Sequence, residues 1–186
     1  QNKSGKIGIK IYSPAGNEVF STSQDVLLSE ETPVATSFSI KKPELWSVDT
    51  PVLYTAEVSL FSNEKEYDKI TVPFGIRTLS FSADKGFLLN GKPVKLKGGC
   101  IHHDNGLLGA VAIDRAEERK VELMKANGYN AVRCSHNQVS EHFLDACDRL
   151  GMLVIHETFD QWQAAKREQD YHQFFDEWSD RDLSAS

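Results

Sequence analysis

The 186-residue sequence shows no long apolar run, no basic excess and no visible secretory signal, and the first two absences narrow the protein class. No run of about eighteen apolar residues occurs, so the sequence predicts no membrane span. The formal net charge of −6 argues against a nucleic-acid partner, because nucleic-acid binding usually needs a basic face. The opening residues QNKSGKIGIK contain no apolar signal core, and both the periplasm and the cytoplasm stay open as compartments.

Paired cysteines and phosphate-binding loops are also missing. The three cysteines, Cys100, Cys134 and Cys147, are odd in number and widely spaced, which excludes a disulfide framework and a CxxC metal motif. We expect buried free thiols, because an unpaired cysteine behaves as a small apolar residue. Gly98-Gly99 lacks both the GxGxxG pattern and the lysine of a phosphate-binding loop.

The first part of the chain alternates apolar and polar residues in short segments separated by turn-forming residues. This pattern predicts an antiparallel β-sandwich. Trp46 lies in a connection between strands, where we expect it to plug the sandwich or a domain junction rather than to bind sugar. The predicted strands cover residues 6–13, 18–28, 36–42, 53–61 and 65–74.

Near residue 80 the pattern changes from strands alone to alternating strands and helices. Asn90-Gly91 predicts a tight hairpin turn, because both central residues of a type I′ turn need positive φ. Asp114 and Ser140 are the expected N-caps of two helices. The predicted strands are 94–100, 130–136 and 152–157, the predicted helices are 113–128 and 140–151, and the tail from 170 is also predicted helical.

This alternation is typical of a parallel sheet with right-handed crossovers. A doubly wound sheet and the opening of a (β/α)₈ barrel both fit it. A whole barrel needs about 250 residues, and only about 100 follow residue 85. We therefore expect either a small open sheet or a piece of a barrel.

Each predicted parallel strand ends in polar, titratable residues. In parallel β/α folds ligands bind at the carboxyl ends of strands, so three such ends in register predict a binding or catalytic site. The candidates are His102, His103, Asp104 and Asn105 after the first strand, Arg133, Ser135, His136 and Asn137 after the second, and His156, Glu157 and Asp160 after the third.

These residue types occur in three kinds of site. Metal ligation is disfavoured because the adjacent His102 and His103 would point to opposite faces of a strand. A Ser135 or Cys134 nucleophile activated by the nearby His136 is disfavoured, because neighbouring side chains on a strand diverge. Recognition of a sugar fits best, with polar side chains pairing to hydroxyls and Trp162 as an aromatic platform.

At this point the sequence resembles a known family. The runs NAVRCSH (130–136) and DACDRLGMLVIHE (145–157) are similar to the signature of family 2 glycoside hydrolases, which include β-galactosidases, β-glucuronidases and β-mannosidases. PELWSVDTPVLYTAEV (43–58) resembles the end of the family's immunoglobulin-like sandwich, and the stretch from 74 to 99 resembles the crossover into its barrel. GCIHHDNGLLG (99–109) and FDQW (159–162) resemble its first and third barrel loops. The closest likeness is to the β-galactosidase branch.

The resemblance implies a fold, a boundary and site residues. It implies an immunoglobulin-like β-sandwich over residues 1–78, truncated at its N-terminus, and the first three β/α units of a TIM barrel over 79–186. Arg133 would brace the site near the catalytic carboxylates, and His103 receives no role. The implied substrate-binding residues are His102, Asp104, Arg133, His136, Asn137, Asp160 and Trp162.

Two departures and one absence qualify the resemblance. Gln138 replaces a common proline, and His156 replaces a common aspartate, which leaves the hydrogen bonding around Glu157 open. The family's retaining mechanism needs two glutamates about 5 Å apart, and no Asn-Glu pair follows the third barrel strand here. We therefore expect an inactive fragment of a retaining β-glycosidase of carbohydrate catabolism, with a β-linked galactoside as the favoured substrate.

Several expectations remain beside this one. A non-catalytic carbohydrate-binding module and a metal-dependent hydrolase are the alternatives, and a divalent or monovalent ion in the full-length protein stays open. Unpaired barrel strands expose backbone groups that can pair with another chain. The fragment is therefore expected to self-associate through its open barrel edges.

Overall fold

A computed structural model describes residues 4–28, 33–62 and 64–185 of the chain. The chain forms two compact units, Gln1–Pro93 and Val94–Ser186. The sequence-based boundary after residue 78 stays a prediction. Residues 1–3, 29–32, 63 and 186 of the two predicted domains lie outside the described residues. Over the described ranges, no helix combines the length and the apolar character that crossing a membrane requires.

A four-stranded antiparallel sheet dominates the first unit. Its strands are β1 (Ser4–Tyr12), β2 (Glu18–Leu27), β3 (Tyr54–Ser62) and β4 (Lys65–Phe74), in the order β2-β1-β3-β4. The turn between β1 and β2 is closed by Ser13, whose backbone N–H donates to the Asn17 carbonyl at 2.8 Å. The antiparallel architecture predicted from the alternating pattern is confirmed.

One predicted strand of this unit is wrong. Residues 36–42 do not join a sheet, although the Phe38 ring stacks on Phe20 at 5.0 Å. The backbone leaves the extended region at Lys42, whose φ is +52°, and Pro43 follows without an N–H to donate. Alternation here therefore reflects side-chain packing and not a hydrogen-bonded ladder.

Trp46 fills the core of the first unit, as predicted. It is 1% exposed, and the Arg77 guanidinium lies 4.7 Å from its ring centroid. The Trp46 carbonyl accepts a hydrogen bond from the Asn90 side-chain amide at 2.9 Å. The other buried apolar residues of this unit are Ile11, Val48, Tyr54 and Leu89.

The first unit also contains a small three-stranded sheet. It contains β5 (Leu79–Ser82), β6 (Gly86–Leu89) and β7 (Lys92–Pro93), all antiparallel. Asn90 and Gly91 have φ of +54° and +75°, as the predicted type I′ turn between β6 and β7 requires.

The second unit alternates strands and helices, as predicted. Its strands form a parallel sheet in the order β10-β9-β8. The first parallel strand, β8, begins at Gly98, four residues later than expected. Before it, the backbone is hydrogen-bonded to the Asn130 side chain: the Asn130 amide donates to the Lys95 carbonyl at 3.1 Å, and the Lys97 N–H donates to Asn130 Oδ1 at 2.7 Å. The elements are β8 (Gly98–Ile101), α1 (Asp114–Ala126), β9 (Ala131–Cys134), α2 (Glu141–Leu150), β10 (Leu153–His156) and α3 (Phe175–Ser184).

Helices α1 and α2 cover one face of this sheet and form its core. Ser140 caps α2 by accepting a hydrogen bond from Phe143 N–H at 3.3 Å, and Gly151 ends it with φ of +78°. Asp114 is not the cap of α1, because Ile113 holds that position and Asp114 lies in the first turn. The core residues are Val121, Val132, Cys134, Phe143, Ala146, Cys147 and Met152.

Candidate functional site

The three parallel strands bring their polar ends to the same edge of the sheet. His102 follows β8, Ser135 and His136 follow β9, and Glu157 follows β10. Arg133 stands opposite Cys100 of β8 and Ile155 of β10 in the strand register. The Ser135–His136 peptide bond is cis.

Glu157 lies at the centre of the site and accepts hydrogen bonds from two side chains. Arg133 Nε donates to Glu157 Oε1 at 2.5 Å, and His136 Nδ1 lies 3.2 Å from Oε2. Arg133 reaches this carboxylate because its neighbours Val132 and Cys134 are buried in the core and successive strand residues face opposite sides. Glu157 itself is half-buried, with 24% of its side chain exposed.

The pKa of Glu157 is set by two opposing effects. Desolvation raises the pKa, but the hydrogen bonds from Arg133 and His136, aided by their charges, outweigh it and hold the pKa below its ordinary value. Glu157 is therefore an ionised carboxylate at neutral pH. The replacement of the common aspartate by His156 had left the hydrogen-bond partners of Glu157 open. The structure shows that Arg133 and His136 are these partners.

The loop after β8 carries two further predicted site residues, His102 and Asp104. The His102 ring meets His136 edge-on, with 5.6 Å between ring centroids. Asp104 is exposed, and its N–H donates to the His102 carbonyl at 2.8 Å. Both residues line a groove between this loop and α1.

A buried carboxylate that the sequence analysis missed anchors this loop. Glu117 of α1 is 5% exposed and accepts a hydrogen bond from the Asn105 amide at 2.6 Å. Asn105 also donates to the Val111 carbonyl at 3.2 Å, and Lys120 lies 3.3 Å from Glu117. The spacing of Glu117 and Val121 on one helical face could have indicated an inward-pointing carboxylate.

Two of the remaining predicted site residues line a separate groove. Asn137 and Asp160 line it, together with Tyr171 of the C-terminal segment. Asp160 Oδ1 pairs with Lys166 Nζ at 3.2 Å. Trp162 is 62% exposed and packs on Phe159 and Phe175. The seven residues predicted from the sequence therefore do not form one cluster. Arg133 and His136 contact Glu157, and His102 contacts His136. Asp104 lines the groove beside α1, whereas Asn137 and Asp160 line the second groove.

Cys100 contradicts the prediction of three buried thiols. Cys134 and Cys147 are buried, but Cys100 is exposed, and Arg133 Nη1 donates to its Sγ at 3.2 Å. The reason is its place in the register opposite Arg133, which turns its side chain toward the polar face of the sheet. In the described part of the chain, no cluster of three histidine, cysteine or acidic side chains could hold a metal ion.

Comparison with known proteins identifies the family. Residues 1–77 match the model for glycosyl hydrolases family 2, and residues 82–180 match that for the TIM barrel domain of the same family. A β-galactosidase of Bacteroides ovatus is 41% identical over 185 residues, which is 98% of this chain and 22% of that protein. A putative β-glucuronidase of Formosa agariphila is 37% identical over 91% of this chain and 16% of its own length.

Solved structures agree with this assignment. A glycosyl hydrolase family 2 member from Bacteroides cellulosilyticus superposes with a TM-score of 0.88 at 48% identity, over 98% of this chain and 24% of that one. A β-glucuronidase of Parabacteroides merdae gives 0.74 at 32% identity, over 85% of this chain and 20% of that one. The chain thus spans about a fifth of the length of the curated relatives that head the comparison. The chain belongs to glycosyl hydrolase family 2, as an immunoglobulin-like domain followed by the start of the TIM-barrel domain.

Proposed function

We propose that the protein containing this chain is a retaining β-glycosidase that hydrolyses terminal β-galactosides. The observation that carries the proposal is the pairing of Arg133, His136 and Glu157 at the carboxyl ends of parallel strands, in a chain of glycosyl hydrolase family 2. Ligands of TIM barrels bind at this end of the strands.

In this proposal the described side chains hold the sugar and orient the carboxylates that act on it. His102, Asp104, His136 and Asn137 bond to sugar hydroxyls, and a hydroxyl missing from a wrong sugar leaves them unpaired. Arg133 braces the floor of the site, while Asp160 and Trp162 form its rim. Trp162 presents an exposed aromatic face for this role.

The acid/base and the nucleophile come from other segments of the whole protein. A general acid must hold a proton at the working pH, whereas Arg133 and His136 keep Glu157 ionised. Ionisation would still allow Glu157 to be the nucleophile, but both of its oxygens are already hydrogen-bonded, Oε1 to Arg133 and Oε2 to His136. We therefore assign Glu157 as a positioning residue in this proposal. We propose accordingly that residues 1–186 alone hydrolyse no glycoside.

Charge favours a galactoside at two positions. A uronate carboxylate calls for a cationic partner, and Arg133 and Lys166 are each already paired with a carboxylate, Glu157 and Asp160. A glucuronide would have to use another cation, such as Arg119 in the groove that His102 and Asp104 line. The relatives named β-galactosidase, including the one at 41% identity, point the same way. Those named β-glucuronidase keep the glucuronide as the second candidate.

The test uses the full-length protein that contains this chain. It is assayed with p-nitrophenyl β-galactoside and p-nitrophenyl β-glucuronide, and the first-formed anomer is followed by NMR. We expect faster turnover of the galactoside, with β-galactose released first. A preference for the glucuronide overturns the substrate assignment, and release of the α-anomer overturns the retaining mechanism.

Variants of the same protein test the site. Arg133→Lys keeps the charge but loses the planar fork, and we expect kcat/KM to fall about 100-fold, because a small misplacement of a positioning group has such an effect. Arg149→Lys, on the exposed side of α2, is the matched control and should leave kcat/KM unchanged. Equal rates for the two variants would remove Arg133 from the site.

A further inference from the structure

Glu117 is a buried carboxylate on helix α1, and it contacts the loop that follows β8. It is 5% exposed, and its Oε1 accepts a hydrogen bond from the Asn105 side-chain amide at 2.6 Å. Lys120 Nζ, three residues further along α1, lies 3.3 Å from the same oxygen. A buried charge is unfavourable unless it is paired, and α1 and the preceding loop supply both partners. Any further segment of the whole protein can only add to this burial.

Asn105 is the residue through which Glu117 reaches the rest of the loop. Its side-chain amide also donates to the Val111 carbonyl at 3.2 Å. Its main chain closes the loop on itself, because its N–H donates to the Gly109 carbonyl at 2.8 Å and its carbonyl accepts from the Leu108 N–H at 3.2 Å. Asn105 therefore ties the middle of the loop, its far end and helix α1 together.

Two predicted sugar-binding residues immediately precede Asn105 in the chain. Asp104 is its neighbour, and the Asp104 N–H donates to the His102 carbonyl at 2.8 Å. The His102 ring in turn packs edge-on against His136. On its other side this short stretch of backbone continues from β8, whose register is fixed by pairing with β9. A shift of Asn105 would therefore be passed directly to Asp104 and His102.

We propose that Glu117 is a positioning residue for the substrate, which fixes through Asn105 the loop that presents His102 and Asp104 to the sugar. This inference rests on the proposed function, because it needs His102 and Asp104 to bind sugar hydroxyls. Hydrogen bonds weaken steeply when their geometry is lost, so a small shift of the loop weakens sugar binding. Substrate and free sugar lose these bonds alike, so KM rises while kcat changes little.

The test uses the full-length protein that contains this chain, with whichever of p-nitrophenyl β-galactoside and p-nitrophenyl β-glucuronide the wild type hydrolyses. Glu117→Leu keeps a good helix-forming residue of similar size on α1 and removes the acceptor for Asn105. We expect KM and the Ki of the corresponding free sugar to rise about tenfold, which is the order of effect of one lost hydrogen bond. The value of kcat should fall by less than about threefold.

A conservative variant and a matched control accompany Glu117→Leu. Glu117→Gln keeps a side-chain oxygen that accepts from Asn105, so KM and Ki should rise by less than about threefold, because a neutral hydrogen bond is weaker than a charge-assisted one. Glu122→Leu makes the same exchange at a glutamate of the same helix, whose side chain is 39% exposed and pairs with Arg115 at 2.9 Å. It should leave KM and Ki at the wild-type values.

The separate readings of KM, Ki and kcat distinguish positioning from a loss of folding. A partly unfolded variant lowers the apparent kcat in proportion to its active fraction but leaves KM and Ki unchanged. If Glu117→Leu does not fold, Asn105→Ala tests the same contact from the loop side and should raise KM and Ki at least as much. Unchanged KM and Ki in the folded variants of an active wild type would overturn this inference alone. A wild type inactive on both glycosides would overturn the proposed function and this inference with it.

Discussion

Arg133 connects two strand ends because its guanidinium has donors that point in different directions. Nε reaches Glu157 beyond β10, while Nη1 reaches Cys100 on β8. A lysine at this position would offer a point charge without the fixed planar fork. One residue of the central strand β9 therefore makes hydrogen bonds to residues on or next to both adjacent strands.

Replacing Glu157 with glutamine tests this arrangement through stability. The pKa of Glu157 is lower in the folded chain than in the unfolded one, so its stabilisation is present above the unfolded value of about 4.3 and is lost as the pH falls through the folded value. Glu157→Gln should therefore lower the urea midpoint at pH 7. The difference in urea midpoint between wild type and Glu157→Gln should become smaller once the pH falls below about 4.

The matched control for this prediction is Glu168→Gln, which neutralises an exposed carboxylate away from Arg133. It should leave the urea midpoint at pH 7 close to that of the wild type. A gap for Glu157→Gln that stays constant from pH 7 to pH 3 would contradict the ionic origin of the effect.

At the scale of the element, a glycine at the first position of β8 allows this strand to approach β9 closely. A Cβ atom on Gly98 would lie 1.8 Å from the Ala131 carbonyl oxygen, whereas one on Gly99 would have no atom within 4 Å. The two strands thus approach closely at one point, and the adjacent residue is unconstrained.

Gly98→Ala and Gly99→Ala form a matched pair of variants. We expect Gly98→Ala to lower the free energy of unfolding by about 1–3 kcal/mol or more, because the backbone must shift to relieve the overlap. Gly99→Ala should change it by less than about 1 kcal/mol. Urea denaturation followed by circular dichroism measures both, and equal effects would contradict the close approach of β8 to β9.

The elements that the sequence predicted well are those with local signals. Ser140 and Gly151 mark the ends of α2, and Asn90-Gly91 marks the hairpin turn between β6 and β7. Each of these features depends on the residue's own backbone or capping chemistry. The strand predicted at 36–42 failed because alternation there serves the packing of Phe38 on Phe20. The exposure of Cys100 depends on the register between β8 and β9, which is a relation between distant segments.

The candidate site was predictable to the same extent. Polar residues at successive strand ends were visible, and parallel order alone brings such ends together. The contact of Arg133 with Glu157, and the anchoring of the β8 loop by Glu117, were not visible. Both depend on side-chain directions across 24 or 12 residues of sequence.

At the scale of the whole chain, the edges of the two main sheets are protected differently. Strand β4, at an edge of the antiparallel sheet, has the sequence KEYDKITVPF, with charged residues and a proline that discourage pairing with another chain. Strands β8 and β10, at the edges of the described parallel sheet, have the sequences GGCI and LVIH, with no lysine, arginine or acidic residue. Unprotected edges of this kind pair with other chains, so we expect the second unit to drive self-association.

Two isoleucines of equal exposure allow a matched test of this last prediction. Ile155 in β10 is 52% exposed, and Ile70 in β4 is 53% exposed. Light scattering over a wide concentration range should show an average mass above that of the monomer. Ile155→Lys should move that mass toward the monomer, because a charge on an edge strand opposes pairing, while Ile70→Lys should leave it unchanged. A wild-type chain that stays monomeric at every concentration, or an effect of Ile70→Lys as large as that of Ile155→Lys, would contradict association through the parallel sheet.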